Sequence, residues 1–211
     1  MQTVALIDYG SGNLHSAEKA LQKVARSGAH RIVTTSDPDV VAKADRIVLP
    51  GVGAFASCMS ALKARDGLAE AMTEAVQRGA PFLGVCVGMQ LLAERGLEFG
   101  EHQGLGWIGG EVRRLQPSDR HAKVPHMGWN TVEPQAPHAL TEGMGTDTHM
   151  YFTHSFAFYP SDPTNVAAVT DHAGRFASAV AKDNIAGVQF HPEKSQAAGL
   201  ALIGRFLEWR P

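Results

Sequence analysis

Two cysteines are present in the chain of 211 residues, and one of them has a sequence context suited to catalysis. Cys86 lies in Gly84-Val-Cys-Val-Gly88, between an apolar segment typical of a strand and a helical pattern. This is the nucleophile-elbow pattern with Cys in place of Ser, in which flanking glycines allow a strand to turn sharply into a helix. At a helix N-terminus the amides and the dipole favour a thiolate. Cys58 has no such glycines and is interpreted as structural.

A candidate base and its orienting carboxylate lie in Phe190-His-Pro-Glu193. Pro192 biases His191 towards an extended backbone, and residues two apart in an extended segment point to the same side. We therefore expect Glu193 to accept from one imidazole nitrogen while the other nitrogen faces the thiol, which predicts a Cys86–His191–Glu193 triad. The His-x-Glu half of a zinc-deaminase site is a competing interpretation, but that site needs later cysteines that are absent here. Neither a metal nor another cofactor is expected.

Glycine pairs follow two other predicted strands, in Gly10-Ser-Gly12 and Gly51-Val-Gly53. The second loop fits the loose dinucleotide fingerprint, but no suitably placed acidic residue follows it, so that signal is weak. The alternative is an oxyanion loop at the strand ends, where doubly wound sheets bind ligands. The amides of Gly51, Val52 and Gly53 would then face the elbow, and Val87 would donate from the elbow itself.

The sequence pattern that contains these candidate residues favours an α/β fold. Short apolar runs alternate with helical patterns over the first hundred residues, which predicts a parallel sheet with helices on both faces. Later strand-like runs follow one another and are expected to form hairpins that extend or flank the sheet. The predicted strands are 3–7, 30–34, 46–49, 81–85, 110–115, 130–132, 150–156, 166–170, 177–181 and 187–189, and the predicted helices are 13–25, 37–44, 55–62, 67–78, 89–95 and 195–209.

Composition excludes several functional classes. The formal net charge of -2 and the absence of a basic run argue against nucleic acid and against an anionic membrane surface. No apolar stretch is long enough to span a bilayer, and the first residues do not form a signal-peptide pattern. Two cysteines are too few for a disulfide scaffold. We expect a cytoplasmic chain with one domain over residues 1–211 and with reduced thiols.

Three motifs together resemble the class I, triad-type glutamine amidotransferases: Pro50-Gly-Val-Gly53, Gly84-Val-Cys-Val-Gly-Met-Gln90 and Phe190-His-Pro-Glu-Lys-Ser195. Their order also resembles that family, with the oxyanion loop first and the His-Pro-Glu motif last. The resemblance implies a three-layer αβα, flavodoxin-like fold whose mostly parallel central sheet has an antiparallel extension in the C-terminal half. It also implies hydrolysis of L-glutamine to L-glutamate and ammonia through a glutamyl thioester on Cys86.

Four further segments resemble one branch of that family, the glutaminases that serve imidazole glycerol phosphate synthesis in histidine biosynthesis. They are residues 8–14, 49–55, 125–130 and 151–155. This resemblance implies a heterodimer in which ammonia passes through a tunnel to a cyclase subunit with a (β/α)8 barrel. A glutaminase that serves another synthase, such as one making anthranilate or pyridoxal phosphate, is the alternative. A non-catalytic flavodoxin-like domain would be expected to lack the nucleophile, the base or the orienting carboxylate.

The resemblance also assigns roles outside the triad. The residues implied to bind glutamine are Gln90, Glu98, His154, Ser155 and Phe156. The residues implied to lie on loops that face the cyclase are Asn13, His126, Trp129, Tyr151 and Lys194. Many members carry Tyr at the position of Phe156, so this chain lacks any contact made through that hydroxyl group.

Overall fold

The computed structural model describes residues 1–25, 28–119 and 121–211, and an eight-stranded sheet is its largest element. The strands are β1 (Gln2–Ile7), β2 (His30–Thr35), β3 (Arg46–Gly51), β4 (Phe82–Cys86), β5 (Arg95–Gly96), β6 (His102–Gln103), β7 (Gly110–Arg114), β8 (His126–Thr131), β9 (Glu133–Pro134), β10 (His149–His154), β11 (Phe156–Pro160), β12 (Val166–Asp171), β13 (Arg175–Lys182) and β14 (Ile185–Val188). The helices are α1 (Leu14–Val24), α2 (Pro38–Ala42), α3 (Phe55–Lys63), α4 (Leu68–Gln77), α5 (Val87–Gln90) and α6 (Gln196–Glu208), with 3-10 turns at Ala139–Thr141, Pro163–Asn165 and Pro192–Lys194.

Five neighbouring strands of the large sheet are parallel, in the order β2-β1-β3-β4-β14. β3, β4 and β14 are buried along their whole length, in agreement with their apolar sequences. The strand order reverses at β1, and because crossover connections are right-handed, α1 and α2 lie on opposite faces. On one face α1 packs against α6, and on the other α2 packs against α4. The predicted three-layer fold is thus confirmed.

Antiparallel strands extend this sheet in the C-terminal half, as predicted. β13 pairs with β14, β12 with β13, and β9 with β12. A two-stranded sheet of β8 and β10 and a four-stranded sheet of β5, β6, β7 and β11 flank it. The single strand predicted over 150–156 is wrong, because a bend at Ser155 separates β10 from β11 and each strand pairs in a different sheet. The strand predicted over 130–132 is the end of the longer β8.

The helix after the elbow is much shorter than the predicted range 89–95. α5 is a single turn over Val87–Gln90. The carbonyl groups of residues 91–94 do not continue the helix, because they accept hydrogen bonds from the amides of residues 104, 105, 106 and 108. Gly104 permits this close approach, since a Cβ at that position would collide with a backbone carbonyl of the 91–94 segment. Pairing with a distant loop therefore overrides the local helical pattern.

The carboxyl ends of β3, β4 and β14 meet in the middle of the large sheet. Gly51 and Cys86 are register partners at the ends of β3 and β4. β14 pairs with the other edge of β4 and leads directly to His191. Open α/β sheets bind ligands at this edge, so the topology brings the three predicted motifs to one place. Among the described helices, none has both the length and the apolar composition needed to cross a membrane.

Candidate active site

Cys86 ends β4 in the sharp turn that its glycines predicted. Its φ of 56° and ψ of -112° are rare for a residue with a side chain and fit a nucleophile elbow. A Cβ at Gly88 would collide with the carbonyl oxygen of Leu49, and a Cβ at Gly84 would lie 2.5 Å from the oxygen of Gly88. Both glycines are therefore sterically required. Because α5 has a single turn, its dipole is smaller than the sequence analysis assumed.

His191 and Glu193 form a buried pair beside this elbow. Nδ1 of His191 lies 2.8 Å from Oε1 of Glu193, and the two side chains are only 3% and 6% exposed. His191 has the extended backbone that Pro192 predicted, with φ -100° and ψ 95°. The expectation that an extended segment brings Glu193 to the same side is wrong, because Pro192–Lys194 is a 3-10 turn. That turn returns the carboxylate to the imidazole.

The second imidazole nitrogen of His191, Nε2, does not face Glu193. Nε2 of His191 forms no hydrogen bond to any of the described residues. Burial disfavours charge on His191, but the neighbouring Cys86 and Glu193 outweigh burial and raise the pKa of His191 from 6.5 to about 9. Because no hydrogen bond of normal geometry joins Nε2 to the sulfur, we attribute the effect of Cys86 to proximity and charge. The imidazolium form of His191 is thus favoured at neutral pH.

Ser195 fixes the backbone of His191, a role that the sequence analysis missed. Its hydroxyl donates to the carbonyl of His191 at 2.6 Å and accepts from the amide of Tyr151 at 3.0 Å. The amide of His191 in turn donates to the carbonyl of Tyr151 at 2.9 Å. These bonds tie the base to β10. The available signal was the Ser after His-Pro-Glu-Lys, at the start of α6.

A cavity of about 320 Å³ opens at the thiol and the imidazole. The predicted site residues that line it are Val52, Gly53, Cys86, Val87, Gln90, Glu98, His154, Ser155, Phe156, His191 and Lys194. Pro125 and Thr153, which were not predicted, also line it. Glu193 lies behind His191, and Gly51 is not on the wall. A separate apolar cavity beside Asn13 measures only about 20 Å³, room for a single water molecule and too small for an amino acid.

Polar groups on the cavity wall are partly engaged within the protein. Nε2 of Gln90 donates to the carbonyl of Phe156 and to Oε1 of Gln189, both at 2.9 Å. Oε2 of Glu98 accepts from the amide of Phe55, the first residue of α3, at 2.8 Å. The side-chain oxygen of Gln90 and the second oxygen of Glu98 are acceptors that suit a ligand ammonium group. Gln189 was missed, although a polar residue within an apolar strand was a signal.

The predicted oxyanion loop, residues 51–53, is held from outside the cavity. The amide of Val52 donates to the hydroxyl of Ser11 at 3.3 Å, and that hydroxyl donates to the carbonyl of Val52 at 2.8 Å. The hydroxyl of Tyr9 donates to the carbonyl of Pro50 at 2.8 Å, and burial raises the pKa of Tyr9 well above its usual range. The prediction that Val52 presents its amide to an oxyanion is therefore not met in this conformation.

Large apolar side chains lie on β8 and β10, and β10 also contributes Thr153 and His154 to the cavity wall. Met127 and Trp129, on β8, are 65% and 48% exposed. The ring of Trp129 lies edge-on to that of Tyr151 at 5.9 Å between centroids, and Nζ of Lys194 lies 5.9 Å from the Tyr151 ring. Asn13 is also exposed, and its side chain caps α1. We call Met127, Trp129, Tyr151 and Lys194 the mouth patch.

His126 does not belong to the mouth patch, which corrects the prediction that it faces a partner. Its side chain is 3% exposed and stacks between Phe152, at 4.8 Å, and His172, at 4.2 Å between ring centroids. Alternation along β8 explains the difference, since neighbouring residues of a strand point to opposite sides. No group of three or more His, Cys, Asp or Glu in the described part of the chain is arranged to hold a metal ion.

Comparison with known proteins decides the family. Residues 5–208 match the family "Glutamine amidotransferase class-I". The chain belongs to the class I glutamine amidotransferases. The imidazole glycerol phosphate synthase subunit HisH of Caulobacter vibrioides is 62% identical to it, with 100% of each chain covered. HisH of Rhodospirillum rubrum is 55% identical, with 99% of each chain covered. A solved glutamine amidotransferase has the same fold, with a TM-score of 0.72 and 19% identity over 97% of each chain.

Membership in the class I glutamine amidotransferases agrees with the geometry. The three motifs of the resemblance converge on one cavity, although they are far apart in the sequence. The elbow and the buried His–Glu pair are the parts of the site that the sequence placed best. The other residues of the site are positioned by tertiary contacts within the glutamine amidotransferase fold.

Proposed function

We propose that this glutamine amidotransferase hydrolyses L-glutamine to L-glutamate and ammonia, as the glutaminase subunit of an imidazole glycerol phosphate synthase in histidine biosynthesis. The observation that carries the proposal is the shared cavity of about 320 Å³, in which the Cys86 elbow meets His191 of the buried His191–Glu193 pair. The similarity to the HisH subunits over their full length supports the choice of synthase.

In the first half of the reaction, the Cys86 thiolate attacks the carboxamide carbon of glutamine. The carbonyl electron pair moves onto oxygen, and Nε2 of the His191 imidazolium gives its proton to the amide nitrogen. When the carbonyl re-forms, the C–N bond breaks, ammonia leaves, and a glutamyl thioester remains on Cys86. Glu193 holds Nδ1 in its protonated form, which keeps Nε2 directed at the reacting atoms.

In the second half, neutral His191 takes a proton from a water molecule as that water attacks the thioester carbon. Collapse of the tetrahedral intermediate breaks the C–S bond and returns the thiolate beside the imidazolium. The new carboxyl group of glutamate loses its proton to solvent. The raised pKa of His191, about 9, favours the imidazolium form between turnovers.

The cavity wall supplies recognition of the amino-acid end of glutamine. Gln90 and Glu98 accept from its ammonium group through the oxygens that the protein leaves free. The segment His154–Ser155–Phe156 binds the substrate through its backbone, and the apolar ring of Phe156 adds only packing. His154 stays neutral, since burial lowers its pKa to about 4.

The oxyanion is stabilised by the amide of Val87 and by the loop Gly51–Val52–Gly53. The amide of Val52 must first leave Ser11, to which it donates in the described conformation. Removing one oxyanion-hole donor from a serine protease costs about a hundredfold or more in rate, and we expect a comparable loss here. Low activity of the isolated chain, and activation by a partner that shifts this loop, follow from that bond.

The partner is a cyclase subunit with a (β/α)8 barrel, bound as a heterodimer in the cytoplasm. We propose that the cyclase covers the mouth patch, which includes the cavity residue Lys194, and also covers Asn13, so that ammonia passes directly into that subunit. Exposed aromatic and Met side chains are typical of interface cores.

The decisive experiment measures glutamate release by the purified chain alone, with the cyclase, and with the cyclase and its nucleotide substrate. Activity should be low alone and rise strongly in the complete mixture. Cys86→Ala should abolish glutamate release in every condition, whereas Cys58→Ala, a change at a buried thiol that contacts the carbonyl of Val52 in the oxyanion loop, should still release glutamate. Glutamate release by Cys86→Ala would rule out the proposed nucleophile, and equal rates without the cyclase would rule out activation.

A further inference from the structure

A hydrogen-bonded chain begins at the partly buried Asn130, near the end of β8, and runs inwards. Nδ2 of Asn130 lies 3.2 Å from Nε2 of His126. Nδ1 of His126 lies 3.0 Å from Nε2 of His154, and Nδ1 of His154 lies 2.9 Å from the carbonyl oxygen of Phe156. Three side chains therefore connect the end of β8 with the wall of the glutamine cavity.

The same carbonyl oxygen continues the chain to the nucleophile. Nε2 of Gln90 donates to Phe156 and also to Oε1 of Gln189. Nε2 of Gln189 lies 3.8 Å from Sγ of Cys86, within hydrogen-bonding range of sulfur. Gln189 is fully buried and is not on the cavity wall. An unbroken polar connection thus joins Asn130 to the reacting thiol.

Each hydrogen atom in the histidine part of this chain has one consistent position. The carbonyl of Phe156 can only accept, so Nδ1 of His154 must carry its proton. Burial lowers the pKa of His154 to about 4 and that of His126 to about 3, so both rings are neutral and carry one proton each. Nε2 of His154 then accepts from Nδ1 of His126, whose own Nε2 accepts from Asn130.

The orientation of the Gln189 amide is fixed in the same way. Gln90 presents an N–H group to it, so Gln189 must turn its oxygen towards Gln90 and its NH2 group towards Cys86. An N–H group that points at sulfur stabilises a thiolate more than a neutral thiol. A fully buried amide that contacts both the thiol and a cavity residue can therefore act on both.

We propose that His126 and Gln189 are positioning residues of the glutaminase reaction, acting on Cys86 and on the glutamine cavity through this hydrogen-bonded chain. The inference rests on the proposed function, in which Cys86 is the nucleophile. Gln189 orients and stabilises the thiolate. His126 fixes the ring of His154 and, through the shared carbonyl of Phe156, the side chain of Gln90.

Gln189→Met tests the thiol end of the chain, because it keeps the size of the side chain and removes its N–H donor. The alkylation rate of Cys86 by iodoacetamide is followed across pH by peptide mass mapping, in the full chain without glutamine. We expect the rate at neutral pH to fall about threefold to tenfold and the pH midpoint to move upwards, because one hydrogen bond to a charged group is lost. The ionisable groups around Cys86 are unchanged in this variant; they are His191, Tyr9, Cys58, Glu98 and Lys194.

Ser178→Ala is the matched control for Gln189→Met. The carbonyl of Ser178 pairs with the amide of Gln189, and the Ser178 hydroxyl is buried without a hydrogen-bond partner among the described residues. Its removal should leave the alkylation profile unchanged. An unchanged profile in folded Gln189→Met, or an equal shift in Ser178→Ala, would overturn the role of Gln189.

His126→Phe tests the other end, with His172→Phe as its control. His172 stacks on the same ring, but its Nε2 contacts the carbonyl of Lys123, outside the chain. We expect His126→Phe to lower kcat/KM for glutamine about threefold to tenfold, mainly through KM, and His172→Phe to match the original chain. His126→Asn, which restores an N–H donor near the position of Nδ1, should recover part of the loss. Equal effects of the two Phe variants, with no recovery in His126→Asn, would overturn the role of His126.

A double variant, His126→Phe with Gln189→Met, tests whether the two residues act through one chain. Connected residues should show a combined loss in kcat/KM that departs from the product of the single losses, and a combined loss equal to that product would overturn the connection. Failure of the proposed function has a different signature. The original chain would then release no glutamate even with the cyclase, while Cys86 alkylation still responded to Gln189→Met.

Discussion

In the proposed reaction, the proton on Nε2 of His191 leaves with ammonia in the first half and is replaced from water in the second half. Glu193 and Cys86 raise the pKa of His191 from 6.5 to about 9, so the charged ring is more stable in the folded chain than in the unfolded chain. This contribution to folding is therefore complete below about pH 6.5 and is lost as the pH rises through about 9.

Glu193→Gln should therefore move the alkaline limit of activity to lower pH. In the original chain, glutamate release should decline as the pH rises through about 9, because the imidazolium that protonates the leaving amine is lost. The substituted amide side chain has no charge, so the variant lacks one of the groups that raise the pKa of His191. The measurement is kcat/KM for glutamine across pH with the activating partner present.

Asp162→Asn is a suitable control, since it also removes one carboxylate but lies at the exposed cap of the Pro163–Asn165 turn. Its alkaline limit should match that of the original chain. A Glu193→Gln variant with an unshifted limit would show that another group protonates the leaving amine.

Local rules predict the residues of the elbow well. Cys86, Gly84 and Gly88 belong to one continuous segment, in which steric exclusion alone selects glycine. The roles of Gln189 and Ser195 depend instead on distant partners. The partner of Gln189 lies about a hundred residues away, and Ser195 contacts β10. The bond between Val52 and Ser11 also joins two distant loops. Contacts of this kind have no periodic or compositional signal in a single sequence.

Among the elements, α6 and β3 are joined by a buried cation. Arg46 begins β3, is 3% exposed, and donates from Nη1 to the carbonyl of Phe206 at 3.0 Å and to that of Trp209 at 2.7 Å. These carbonyls end α6, where helices leave acceptors unsatisfied. The guanidinium group therefore caps the helix that follows the His191 turn and holds it against the sheet.

Arg46→Met should destabilise the fold by about 2–4 kcal/mol, because it leaves buried carbonyl groups without a donor. Urea unfolding followed by circular dichroism measures this loss. Arg31→Met, a change of the same type at an exposed position of β2, should alter the free energy of unfolding by less than about 0.5 kcal/mol. Equal stability of the two variants would contradict the capping role of Arg46.

The predicted helices and strands are correct where one periodic pattern determines the local structure. They are wrong where pairing with a distant segment determines it. The range predicted for α6 differs from Gln196–Glu208 by one residue at each end. α5 stops early because its following carbonyls pair with the loop at residues 104–108. The break at Ser155 is set by the sheets that β10 and β11 join, although the run 150–156 reads as one apolar strand.

At the scale of the whole molecule, the mouth patch is the surface on which we propose that the partner binds. Trp129 is half exposed, rests against Tyr151, and lies on the strand beside the cavity. Large aromatic side chains of this kind contribute more than about 1 kcal/mol to many interfaces when they become buried. Lys194 of the patch also lines the cavity from which the proposed reaction releases ammonia.

Trp129→Ala should weaken binding of the cyclase about tenfold and leave glutamate release by the isolated chain within about twofold. Titration calorimetry with the cyclase measures the dissociation constant. Tyr159→Ala is the control. Arg113 lies 4.0 Å from the ring of Tyr159, much as Lys194 lies near the ring of Tyr151 in the mouth patch, but Tyr159 belongs to the four-stranded sheet. A dissociation constant unchanged by Trp129→Ala would place the partner elsewhere.

The central position of β14 has a consequence for the time at which the site forms. β14, Ile185–Val188, lies far from β4, Phe82–Cys86, in the sequence, yet it lies between β4 and β13 in the middle of the large sheet. While that part is still inside the ribosome, β4 lacks the neighbour on one edge, and His191 cannot approach the elbow. Long-range strand pairing of this kind is slow compared with helix formation. A nascent chain therefore carries the thiol from residue 86 onwards, and the proposed base joins it only after residues 185–191 have left the ribosome.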